Sequence, residues 1–268
     1  MNGFGMSKPS LGECNDTLIV LCEISASTLL QRVRKTYMRV SRLGQVLTEA
    51  CAIGGFVMIA ATNAAAAGTP APTTVGKVMP DASLVRPLVT GDLAPSVTVR
   101  DIDGKPFNLG TAFTRRPTVL IFYRGGWCPF CNLQMSQLER LQPKLIKMGY
   151  LLLAVSMDNP AHLKLSIAQH KLTYTLLSDS DAKAVKAYGL AFHVATTMVQ
   201  QYKTFHINLD DAAGNSNHIL PVPAVYLIGT DHVIRFTYYN PDYKVRLAPA
   251  KLLSAASHYK AEMTAGGK

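Results

Sequence analysis

One stretch constrains this chain more than any other: Phe122-Tyr123-Arg124-Gly125-Gly126-Trp127-Cys128-Pro129-Phe130-Cys131 joins an apolar run to an amphipathic one and sets two cysteines at the joint. Thr118 to Tyr123 is β-branched and apolar at both parities, the pattern of a strand buried in a helix-covered sheet. Arg124-Gly125-Gly126 ends it. From Pro129 onward Met135, Leu138, Leu141, Leu145 and Met148 recur at helical spacing, and Pro129 suits a first helical position, where its missing N–H does no harm. Cys128 is therefore expected at a helix N-terminus, where free N–H groups and the positive end of the dipole favour a thiolate. Cys131, one turn on, is close enough to close a small disulfide ring.

Two other uses of such a pair compete with redox chemistry. A structural zinc site needs four ligands, and the chain offers neither a second Cys-x-x-Cys nor a closely spaced His pair. Two inert buried cysteines would not call for a glycine pair, the lone tryptophan and a helix start around them. The glycines match no phosphate-binding pattern, which excludes a nucleotide site. Nor does the net charge of +10 come with a basic–aromatic cluster, so no nucleic-acid partner is expected.

The cysteine arithmetic depends on the N-terminal quarter. Arg32, Arg34, Lys35, Arg39 and Arg42 precede an apolar run from Ala50 to Ala61, and small residues follow to Gly68. This is the pattern of an export signal over 38–67, too short for a comfortable membrane span of about 20 apolar residues. A periplasmic or secreted location follows, with membrane contact only through the signal segment. Met38 stands directly before Arg39, so residues 1–37 read as an over-extended start or a disordered leader. Of five cysteines, Cys14, Cys22 and Cys51 precede the cleavage region, leaving Cys128 and Cys131 in the mature chain. A ring this small constrains little of the unfolded chain, so the pair is expected to do chemistry rather than act as a staple.

Residues 68–90, rich in Pro, Thr and Ala, read as a linker, and the domain is expected over 91–258 with a frayed tail at 259–268. Val97 to Leu109 around Asp103-Gly104 reads as an edge hairpin. Pro143 should kink or restart the cysteine helix. Tyr150 to Met157 predicts a neighbouring parallel strand, Asn159-Pro160 a helix start, Tyr174 to Leu177 a short strand, Ser180-Asp181 a cap and Gly189 a helix stop. In the 191–220 insert, Val194 to Tyr202 suits a helix and 210–217 a loop. Ala224 to Ile228 and Val233 to Tyr238 suit an antiparallel hairpin, and Pro249 to His258 a closing helix. Strands alternating with helices predict an α/β layered domain.

Gly91-Asp92-x-Ala94-Pro95, the strand ending Phe122-Tyr123-Arg124, Trp127-Cys128-Pro129-Phe130-Cys131 and the Val222-Pro223 strand together resemble the peroxiredoxin-like branch of the alkyl hydroperoxide reductase and thiol-specific antioxidant family, over residues 91–255. The resemblance implies a thioredoxin-like central sheet flanked by helices, extended by an N-terminal β-hairpin. It also implies a cis-proline at Pro223 facing the cysteines and a place for Arg246 at the rim of the site. It implies an antioxidant peroxidase that reduces hydroperoxides through a redox-active disulfide, needs no cofactor and no metal, and is regenerated by an external thioredoxin-like dithiol.

The chain departs from the family pattern in three places. On the family's register Cys131 takes the peroxidatic position and Cys128 that of a hydroxyl residue, whereas helix position gives the first attack to Cys128. Pro223 falls where the family brings an arginine to the thiolate, unless Arg124 or Arg246 replaces it. His232 stands where a turn glycine is usual. The missing arginine favours protein thiol–disulfide exchange as an alternative, and His193, His206 and His218 in the insert suggest a copper carrier as a lesser one. Trp127 either packs beside the thiols or fills the sheet's edge.

Overall fold

The computed structural model describes residues 73–265. The export signal, Met38, Cys14, Cys22 and Cys51 lie outside the described residues. In chain order the fold starts with the expected hairpin, β1 (Thr98–Arg100) against β2 (Pro106–Asn108), antiparallel with Val99 opposite Phe107. Its turn is set by Asp101, whose Oδ1 accepts from Asp103 N and Lys105 N at 2.9 Å each, and by Gly104 at φ 78°. Asn108 then caps α1 (Leu109–Arg115) by accepting from Thr111 N.

β3 (Thr118–Phe122) is buried at every position, as its two-sided apolar pattern demands. It leads into α2 (Pro129–Lys147), which passes Pro143 as one helix. β4 (Leu151–Ser156) lies parallel to β3, Asn159 caps α3 (Pro160–His170), and β5 (Thr175–Ser178) lies parallel to β4. After α4 (Lys183–Ala187), Gly189 turns the chain at φ 69°. β6 (Ala191–His193) pairs antiparallel with β7 (Ile219–Pro221), forming the neck of the insert that holds α5 (Thr196–Thr204) and α6 (Leu209–Ala213). β8 (Ala224–Ile228) runs antiparallel to β3, β9 (Ile234–Tyr239) antiparallel to β8, and α7 (Pro249–Ala265) closes the chain. The main sheet has the order β2-β1-β5-β4-β3-β8-β9.

Alternation along β3 divides the interior. Leu120 and Phe122 enter the core that holds Tyr188 and Tyr226, while Val119, Ile121 and Tyr123 enter the core on the other face with Met135, Leu138 and Leu252. Both cysteines belong to that second core. Among the described residues no helix is long and apolar enough to cross a membrane.

Five expectations are corrected. Residues 74–90 are not a free linker: Val85 is fully buried, Thr74 Oγ1 donates to Gly189 O at 2.6 Å, and Met79 bridges to Phe192. The side chain that serves the start of α4 is Asp179, not Ser180-Asp181: Ala182 stands at the N-cap, and the Asp179 carboxylate accepts the N–H groups of Lys183, Ala184 and Val185 at 2.8–2.9 Å. Part of the supposed 210–217 loop is α6, started by Asn208 Oδ1 on Asp210 N and Asp211 N and stopped by Gly214 at φ 73°. α7 continues past His258 because Leu252, Ala256 and Tyr259 extend its buried stripe by a turn. The Val222–Pro223 bond is trans, there being no cis peptide among the described residues. Val222 N donates to Leu190 O and Pro223 O accepts from Asn240 N, so the chain runs straight from β7 into β8.

Candidate active site

The local sequence builds the site in three steps. β3 ends in the second core at Tyr123, and the chain must then turn sharply to begin a helix on that face. Gly125 and Gly126 allow the turn: a Cβ on Gly125 would overlap the Trp127 ring and lie 2.5 Å from Asp158 Oδ1, and one on Gly126 would overlap Ser166 Oγ. Asp158 Oδ2 accepts from Gly126 N at 2.7 Å, Asn132 Nδ2 donates to Gly126 O at 2.8 Å, and Cys128 N donates to Gly125 O at 3.2 Å. Cys128 is thereby fixed as the N-cap of α2 with Pro129 at its first turn, where the sequence puts them.

Both cysteines are free thiols and almost wholly buried, Cys128 at 1% and Cys131 at 0% exposure. Hydrogen bonds from the Cys131 side chain and backbone, helped by the charges of Arg124 and Arg246, outweigh burial and bring the Cys128 thiol down to about 6. Burial and the hydrogen bond to Cys128 push Cys131 well above the usual thiol range. The two thiols thus shift in opposite directions, Cys128 down and Cys131 up, because they share one hydrogen bond.

Two arginines flank the pair. Arg246, in the loop between β9 and α7, donates through Nη2 to Cys131 Sγ at 3.1 Å and through Nη1 to Gln134 Oε1 at 3.3 Å. Gln134 is buried on the same face of α2 as Cys131, one turn on. Arg124 is 3% exposed and lies among three aromatic rings, its guanidinium carbon 4.0 Å from the centroid of Tyr243, 4.9 Å from Trp127 and 5.4 Å from Tyr202. It also donates to the Tyr202 hydroxyl. Trp127 therefore stands beside the site, packed on Tyr202 with ring centroids 5.7 Å apart, rather than filling the sheet's edge.

The structure thus gathers Cys128, Cys131, Arg124, Arg246, Trp127 and Pro129. Pro223 sits buried at the start of β8 and meets Asn240, with no cis bond to present to the thiols. Asp158, Gln134, Tyr202 and Tyr243 escape the sequence reading. The only hint was for Tyr243, three residues before Arg246, and nothing in the sequence ties Tyr202 in α5 to Arg124. Burial brings the Asp158 carboxyl up to about 6. His218 is held by Asp210 Oδ1 at 2.6 Å, and among the described residues no three His, Cys, Asp or Glu side chains converge. The odd turn residue His232 sits at φ 66°, with Nε2 3.0 Å from Thr114 Oγ1 and its ring edge-on to Phe113.

Residues 90–237 match the AhpC/TSA family. Peroxiredoxin Bcp of Escherichia coli (strain K12) is 31% identical over 137 residues, covering 50% of this chain and 86% of that protein. The chloroplastic peroxiredoxin Q of Suaeda salsa is 33% identical over 109 residues, 41% of this chain and 50% of that one. In three dimensions the chain is similar to reduced Prx3 of Vibrio vulnificus, solved in complex with H2O2, at 18% identity and a TM-score of 0.53 over 64% of this chain and 98% of that one. Peroxidoxin BcpB of Mycobacterium tuberculosis gives a TM-score of 0.51 at 18% identity over 64% and 97%. The thioredoxin-like sheet shared with these proteins agrees with the sequence match over residues 90–237, and that match carries the conclusion: this chain is a member of the AhpC/TSA family, a peroxiredoxin-type thiol peroxidase.

Proposed function

We propose that the chain is an exported antioxidant enzyme that reduces hydroperoxides through the Cys128–Cys131 pair and is restored by an external thioredoxin-like dithiol. The observation that carries the reading is the pair itself: a thiol held near 6 at a helix start, with a second thiol one turn away as its hydrogen-bond donor. The Cys128 thiolate attacks the terminal peroxide oxygen, the O–O bond breaks, and the leaving alkoxide takes a proton, giving Cys128 sulfenic acid and an alcohol, or water from hydrogen peroxide. The Cys131 thiol then condenses with the sulfenic acid, forming the disulfide and releasing water. Exchange with a dithiol returns both thiols and leaves the reductant oxidised. Arg246 and Arg124 stabilise the attacking sulfur and the negative charge that develops on the leaving oxygen.

The test is to add one equivalent of hydrogen peroxide to the reduced protein while following thiol loss, with Trp127 fluorescence as the reporter of the site. Rapid loss of the thiols of Cys128 and Cys131, mapped by mass spectrometry to one disulfide, is the expected result. Loss no faster than that of an ordinary thiol, alongside reduction of insulin by the same protein, would give the pair to protein disulfide exchange instead. The contact of Arg246 on Cys131 favours a second reading in which Cys131 attacks and Cys128 resolves. Trapping the sulfenic acid in Cys128→Ser and Cys131→Ser decides between them. Export over residues 38–67 to the periplasm is tested by N-terminal sequencing of protein recovered from the cell envelope; an intact Met1 start in the cytoplasm would refute it.

A further inference from the structure

Arg124 is a charge that its own segment does not hold in place. It is 3% exposed, its buried Nε has no hydrogen-bond partner, and it belongs to none of the ion pairs among the described residues. Asp158, the carboxylate at the same turn, is committed to the backbone: Oδ2 accepts from Gly126 N at 2.7 Å, while the unpartnered Oδ1 abuts Gly125 beside Trp127 Nε1. What fixes the Arg124 guanidinium comes from elsewhere in the chain. Its Nη2 donates to the Tyr202 hydroxyl, and the rings of Tyr202 and Tyr243 face it together with Trp127. The place matters because Trp127 directly precedes Cys128, and the charge of Arg124 is one of the causes that bring the Cys128 thiol down.

Tyr202 is brought there by the insert between β6 and β7. Val199 is buried in the first core, and Tyr202, three residues later on α5, falls on the same helix face. The insert is anchored beside the site as well, since Asn159, the residue after Asp158, donates through N to Ala212 O at 2.7 Å and through Nδ2 to Asp211 O at 2.9 Å. Without the hydroxyl, a second buried donor of Arg124 would lose its acceptor, and the long side chain would move to find another. We infer that Tyr202 is a positioning residue for the cysteine pair: its hydroxyl fixes the Arg124 guanidinium over Trp127, so that the insert completes a site whose thiols stand on α2. This rests on thiol chemistry at Cys128 and names what holds one of its cations in place.

The experiment uses Tyr202→Phe in the full protein, which keeps the ring and its packing on Trp127 and removes only the hydroxyl. The first readout is the pH midpoint of Cys128 alkylation by iodoacetamide, followed at its peptide by mass spectrometry. It should rise by about 0.5–1 pH unit, part of the one to three units that a nearby cation can give. The second is kcat/KM for hydrogen peroxide with a dithiol reductant, which should fall about tenfold, within what a misplaced group costs. In an Arg124→Gln background the same change should cost less than about twofold, because the group that Tyr202 positions is gone. A full tenfold loss there would mean that Tyr202 acts through packing alone and overturns the inference. An unmoved Cys128 midpoint in Tyr202→Phe overturns it too, with no need for an Arg124 variant that folds. If the unaltered protein consumes no peroxide, the peroxidase reading falls, and the midpoint still decides whether Tyr202 places the charge.

Discussion

Removing the hydrogen-bond donor of Cys131 should move the titration of Cys128 by an amount that can be worked from the site. Cys128 titrates near 6 where an ordinary thiol has 9.0, and at ~1.4 kcal/mol per pH unit that difference favours the thiolate by ~4 kcal/mol. The leading cause is the hydrogen bond from Cys131, and a hydrogen bond to a charged group contributes about 1.5–3 kcal/mol. Cys131→Ala should therefore raise the midpoint by about 1–2 pH units. Cys131→Ser keeps an O–H at the same place and should stay nearer the wild type. The assay is the rate of iodoacetamide alkylation against pH, read at the Cys128 peptide by mass spectrometry so that Cys14, Cys22 and Cys51 do not interfere. A midpoint that stays near 6 in Cys131→Ala would give the thiolate to the helix dipole and the arginines and refute the argument. Equal shifts in the alanine and serine variants would show that packing, not the donor, matters.

The same quantity fixes the sign of a stability effect. A thiol whose pKa is depressed by folding contributes stability that is present above its unfolded value of 9.0 and lost as pH falls through about 6. The reduced protein should accordingly become less stable to urea across that window on acidification, and Cys131→Ala should show a shallower loss.

Arg246→Gln should lower kcat/KM for hydrogen peroxide on the order of 10²-fold, as loss of one charged donor at a developing negative charge does, while circular dichroism stays unchanged; an unaffected rate would remove Arg246 from the chemistry. Asp179→Ala should cost about 1–3 kcal/mol in urea unfolding, since three N–H groups of α4 lose their acceptor, whereas Asp181→Ala should stay within about 0.5 kcal/mol; equal losses would contradict the cap assignment. Asp158, raised to about 6, contributes stability below its unfolded value of 3.8 that is lost as pH rises through about 6, so Asp158→Asn, which keeps an acceptor for Gly126 N, should flatten the stability profile between those values. An unchanged profile would mean that another group sets it.

Much of this architecture is legible in the sequence because it is locally determined. The two-sided apolar pattern of Thr118 to Phe122 specifies a central strand, Pro129 and the apolar spacing after it specify where α2 begins, and Asp103-Gly104 specifies the hairpin turn. What escapes is held by contacts distant in sequence. Residues 68–90 look like a linker because they are rich in Pro, Thr and Ala and show no periodicity, yet Thr74 and Val85 dock through Gly189 and the core. α6 is too short to show a period, and only its cap, its glycine stop and the burial of Leu209 and Ala212 make it a helix. Tyr202 reaches Arg124 across 78 positions of chain, with no local pattern to announce it.

The position of the arginine shows how register and electrostatics can part company. Read strand by strand, the family's cation falls on Pro223, which has no charge to give, and by that reading the site lacks one. The sheet supplies another route. β9 returns antiparallel along β8 with Tyr239 opposite Ala224, so the chain leaving β9 emerges beside Pro223, where Asn240 N donates to Pro223 O at 3.2 Å. The loop that follows carries Tyr243 onto Arg124 and Arg246 onto Cys131, at the same end of the sheet and beyond the matched residues 90–237. Stabilising a thiolate and a leaving oxygen depends on where a positive charge stands, not on which strand bears it. A hairpin brings the residues after its second strand back to the level where its first strand began, and so an arginine absent from the start of β8 can be replaced from the end of β9.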